Sequence, residues 1–189
     1  MKELIQFYEI NWCDNIPKIH LVPDRKTFDA LKGRKTEDWV VGTTLGSKSI
    51  LYILDPASYE SESNHKYSDE EYFRLIKHEL SHLFQSNLFD SFQPVWFTEG
   101  IAIYTSGQLS VKRKPKEFTK FLDFYSNGGS GVYEESGFAV EILINKLGKK
   151  KFLKVLRDLE TPVTRENFKR YFEKNLGINL TYTWFNKSL

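Results

Sequence analysis

The chain has 189 residues, 40% of them hydrophobic, which is enough apolar material for the core of one compact domain or of two subdomains sharing a cleft. Lys and Arg number 27 against 25 Asp and Glu, a formal net charge of +2, so the basic excess of a dedicated nucleic-acid binder is missing and KRKPK at 112–116 reads as solvated surface. One cysteine, Cys13, excludes an internal disulfide, a thiolate zinc cluster and a redox pair, and leaves His and carboxylate as the metal ligands on offer.

The opening MKELIQFYEINWCDN is amphipathic and broken by charge, so it reads as a helix rather than a secretion signal. No later run reaches membrane-spanning length, and a cytoplasmic protein without a membrane partner is expected. KIHLVP, residues 18–23, alternates as a short strand, and TFDALKG has helical character with a glycine stop. WVVGTTL and SILYIL are β-branched and aromatic runs separated by GSK, the pattern of a hairpin. A polar loop follows over 55–67.

Ser68 with Glu71 three residues on forms a capping box, and Asp69, Glu70 and Glu71 suit the positive end of a helix dipole. The spacing predicts a helix from Asp69 to Leu88 with Ile76, Leu80, Leu83 and Phe84 as its apolar stripe. FDSFQP interrupts, and VWFTEGIAIYTSG opens a second helix. KEFTKFLDFY, 116–125, spaces Phe118, Phe121, Leu122 and Tyr125 as a further helix flanking the cleft. Beyond the glycine-rich hinge SNGGSG, 126–131, the pattern is wholly helical: one helix stops at Gly148, KKKFLKVLRDL continues, and TRENFKRYFEKNLG runs from a Thr164 cap to Gly177. The tail closes in a short helix with Trp184 as its expected anchor.

Within LIKHELSHLF, His78 and His82 stand one helical turn apart on one face, so their imidazoles can converge on a single ion at about 2.0–2.1 Å. Glu79 lies about 100° round the helix, beside the ion rather than on it, where a water-activating base belongs. A catalytic zinc wants a third protein ligand and one open position. Glu99 in PVWFTEGIAIY is the candidate, on a helix that returns against the first, with Gly100 allowing close approach. His20 and His65 lack partner spacing and are read as structural or exposed.

HELSH followed by WFTEGIA resembles the gluzincin clan of zinc peptidases, in particular the small peptidase MA-like domains, and more distantly thermolysin and aminopeptidase N. The resemblance implies one catalytic zinc ion held by His78, His82 and Glu99, with Glu79 as general base. Tyr133 in VYEESGFAV resembles the hydroxyl donor that stabilises the oxyanion in aminopeptidase-like members. One extra residue separates Tyr133 from its glycine, and Tyr104 and Tyr125 are rivals. The Gly-x-Met-Glu-Asn segment that fixes a substrate's free amine in the clan's aminopeptidases is missing, which favours an endopeptidase; WVVGTT, 39–44, is the candidate strand for pairing with an extended substrate.

The expected fold is α+β, a gluzincin-like arrangement forming one catalytic domain over 1–189: an N-terminal mixed β-sheet with the active-site helix over 1–89, and a helical C-terminal subdomain over 90–189 carrying the glutamate ligand. The expected function is zinc-dependent peptide-bond hydrolysis on a peptide or protein substrate. A regulatory zinc protease for one protein partner and a non-catalytic zinc-stabilised interaction module are the alternatives.

Overall fold

The computed structural model describes residues 1–10, 16–45, 49–88, 94–159 and 164–189, and it divides into two units, Met1–Phe84 and Gln85–Leu189. The fold class is α+β, with one small mixed sheet and mostly helices otherwise.

The sheet of the first unit contains β1 (Lys18–Val22), β2 (Gly42–Leu45) and β3 (Ile50–Leu54) in the order β1-β3-β2. β3 is central because its sequence, ILYIL, is apolar on both faces; Leu51, Ile53 and Leu54 are fully buried. β1 runs parallel to it with Lys18 opposite Ile50, and β2 antiparallel with Gly42 opposite Ile53. The β2–β3 pairing is the expected one, but the strand starts at Gly42 rather than Trp39. The Val41 carbonyl still accepts from the Leu54 N–H of β3 at 3.0 Å, but the two before it go elsewhere: that of Val40 accepts from the Arg25 guanidinium at 2.5 Å and that of Trp39 from His65 Nε2 at 2.9 Å. The GSK link lies outside the described residues.

Among the described residues three helices complete this unit: α1 (Lys2–Tyr8), α2 (Arg25–Lys32) and α3 (Asp69–Leu88), the last continuing into the second unit. α2 is capped by Asp24, which accepts the Thr27 N–H at 2.7 Å, and stops at Gly33 in the left-handed region at φ 67°. α3 has the predicted span, and Ser68 Oγ accepts the Glu71 N–H at 3.2 Å. Its apolar face is set slightly differently: Tyr72, Leu75, Leu80, Leu83 and Phe84 are buried and Ile76 is only half-buried. The Tyr72 hydroxyl donates to the Leu54 carbonyl at 2.7 Å and ties the helix to β3. Tyr8 stacks on Phe84 and lies 2.5 Å from Ser81 Oγ, which ties α1 to the same helix.

The second unit holds α4 (Val95–Ser106), α5 (Ser130–Leu147), α6 (Lys149–Asp158), α7 (Arg165–Leu176) and α8 (Tyr182–Asn186). Its core is aromatic: Trp96, Phe97, Phe121, Phe168 and Phe185 meet largely edge-to-face. α4 and α5 interlock through two glycines. A Cβ on Gly100 would meet the Ser136 carbonyl at 2.5 Å, and one on Gly137 would meet Ile103 at 2.4 Å. Gly100 therefore serves contact with α5. Phe185 is fully buried and anchors α8, while Trp184, the expected anchor, is half-buried.

The segment 116–125 differs most from expectation, since only Phe121–Asp123 form a short 3-10 turn. Glu135, buried on α5, accepts backbone N–H groups from Thr119, Lys120 and Phe121 at 2.9–3.1 Å. Those donors are spoken for by a carboxylate, so an α-helix has no claim on them. Phe118 and Phe121 are buried as the spacing suggested. Within the stretch 126–131, Ser126, Asn127 and Gly128 are exposed, Gly129 and Gly131 lie against the Phe124 ring, and α5 begins at Ser130. Among the described residues no helix is long and apolar enough to cross a membrane.

Candidate metal centre

On α3 the two histidines converge as their spacing requires. Their rings are inclined at 79° with centroids 4.8 Å apart, and the two Nε2 atoms stand 3.1 Å from each other. Two ligand atoms sharing one tetrahedral zinc at 2.0–2.1 Å would be about 3.4 Å apart, so the pair is set close to the separation an ion imposes. His78 is buried and His82 half-buried. The helix is held in place by the Tyr72–Leu54 and Tyr8–Ser81 bonds from its other faces.

Glu99 sits in the second turn of α4, whose first N–H groups are satisfied by a neighbouring segment: Val95 donates to the Tyr125 carbonyl and Trp96 to that of Phe124, each at 2.9 Å. Buried Trp96 and Phe97 fix the rotation of this helix. Gln85, in the last turns of α3, donates from Nε2 to the Thr98 carbonyl at 3.1 Å, one residue before Glu99. One ligand atom from each of His78, His82 and Glu99 lies within 4.8 Å of the others. The donor set, two imidazoles and a carboxylate, suits a borderline divalent ion such as zinc.

Glu79 is buried, 7% exposed, and packs against β2; a Cβ on Gly42 would fall 2.7 Å from its Oε1. The candidate base therefore stands at the start of an edge strand. The three tyrosines considered for oxyanion binding fall on separate segments: Tyr104 on α4, Tyr125 just before the glycines, and Tyr133 in the first turn of α5, half-buried. Burial pushes the Tyr125 hydroxyl up to about 12, and Arg165 lies over its ring at 5.9 Å, which with its carbonyl bond to Val95 gives it a structural task. His65 bonds the Trp39 carbonyl, and exposed His20 lies against the Tyr52 ring, in keeping with structural or surface roles.

Gln85 and Gly42 were not singled out by sequence reasoning. Gln85 carries a faint signal, a polar residue immediately after two core positions, Leu83 and Phe84. Gly42 carries none, because its importance lies in a residue 37 positions away. Comparison with protein-family models, curated proteins and solved structures finds no match.

Proposed function

We propose that the protein is a zinc-dependent metallopeptidase of gluzincin type, and an endopeptidase rather than an aminopeptidase. The observation that carries this reading is the proximity of His78, His82 and Glu99, with a buried fourth residue, Glu79, that the ligand set does not need. His78, His82 and Glu99 would hold the ion, which when bound acidifies water and polarises the scissile carbonyl.

The chain's own groups do the rest. The Glu79 carboxylate takes a proton from the attacking water as the new C–O bond forms, and passes it to the amide nitrogen as the C–N bond breaks. Tyr133 is assigned the hydrogen bond to the developing oxyanion. An extended peptide pairing with β2 would lie along the edge that begins at Glu79, because β2 has β3 on one side and no strand on the other among the described residues. A metal-stabilised interaction module would need the three ligands but not a buried carboxylate beside them, so Glu79 favours catalysis.

Metal analysis combined with peptide cleavage tests the proposal. Glu79→Gln is expected to retain the metal and lose about 10²–10⁴-fold in kcat, whereas His78→Ala loses metal and activity together. Glu79→Gln cleaving at the wild-type rate would remove the base assignment, and a wild-type chain that holds no divalent ion would remove the whole reading.

A further inference from the structure

We infer that Gly42 is a positioning residue for Glu79: the bare Cα of this strand residue leaves the space in which the base's carboxylate sits. An ideal Cβ at Gly42 would lie 2.7 Å from Glu79 Oε1, closer than real Cβ contacts come, and 3.0 Å from both Cδ and Cγ, at the tight end of the range they show. The whole distal half of the glutamate side chain is therefore packed against this one position.

Nothing in the backbone asks for glycine there. Gly42 is not among the glycines with positive φ, and it lies in β2 paired with Ile53 in regular antiparallel register. In such a strand alanine is the more stable choice, since glycine loses more conformational freedom on folding. The requirement comes from the neighbour. Moreover the neighbour is the far end of a flexible side chain, which can yield without disturbing the sheet or α3. A methyl group at position 42 is therefore inexpensive for folding and displaces a group whose role depends on its position. A misplacement of this kind costs rate rather than stability.

The role assigned to Glu79 rests on the metallopeptidase reading, whereas the contact with Gly42 does not. The experiment accordingly has two arms on Gly42→Ala in the full chain. Crystal structures of wild type and variant read the Glu79 carboxylate, which is expected to shift by several tenths of an ångström, with metal content and melting temperature kept at the wild-type values. Peptide kinetics are expected to show kcat lowered by about 10- to 100-fold with KM little changed. In a Glu79→Gln background the same change is expected to have no further effect on the residual rate.

An unmoved carboxylate, or a wild-type kcat in Gly42→Ala, overturns the inference while leaving the metallopeptidase reading intact. A wild-type chain that binds metal and cleaves no peptide overturns that reading and the role of Glu79 with it. Should Gly42→Ala fail to fold, Gly42→Ala/Glu79→Ala decides the matter. Folding regained by removing the carboxylate supports the contact, and a double variant that also fails overturns it.

Discussion

Residues 69–88 and 116–125 both place apolar side chains at helical spacing, yet one is a 20-residue helix and the other is held almost wholly without helix. The difference lies in where the backbone donors go. The first stretch has Ser68 to accept the N–H of Glu71 and three acidic residues in its first turn, so its start is fixed locally. In the second, a carboxylate fourteen or more residues downstream collects three successive N–H groups, while Phe118 and Phe121 still reach the core. Apolar periodicity reports which side chains are buried; it determines a helix only when no stronger acceptor competes for the backbone.

The largest effect expected from breaking this contrast is chemical. His82→Ala on α3 is expected to abolish metal binding while leaving the 116–125 segment folded, which zinc stoichiometry and near-ultraviolet circular dichroism would read. Retention of a full equivalent of tightly bound metal would remove His82 from the ligand set. Next comes Glu135→Ala, expected to cost about 3 kcal/mol, since bonds to a charged acceptor are worth about 1.5–3 kcal/mol each and are only partly replaced by water. Denaturant unfolding would measure it, with amide exchange at Thr119, Lys120 and Phe121 accelerating first. Unchanged protection there would mean the carboxylate is not what shapes the segment. The smallest is Ser68→Ala, which removes one cap at the exposed start of α3 and is expected to cost about 1 kcal/mol, without altering metal content.

Much of the helical layout was legible because helix ends are local. Thr164 accepts the Asn167 N–H, and Gly33 and Gly177 adopt the left-handed conformation that stops their helices. The opening of the candidate site was equally legible, for a four-residue spacing on one helix converts directly into two convergent rings. Where neighbours far along the chain decide, the reading fell short. Trp184 and Phe185 are adjacent and both aromatic, and only packing against Phe118 and Phe121 selects Phe185 as the buried one. Gly100 invited a close approach, but the partner proved to be α5.

By itself, then, the amino-acid sequence determined the elements whose signals act within about one helical turn: caps, glycine stops, the span of α3 and the pairing of His78 with His82. Tertiary structure decided what depends on space between distant residues: the Glu135 carboxylate gathering the 119–121 amides, Gly42 yielding room to Glu79, and the proximity of Glu99 to the two imidazoles. The physical reason is range. Capping and side-chain periodicity are fixed by covalent neighbours. The contacts of a buried carboxylate are fixed by which chain segments the packed core leaves beside it.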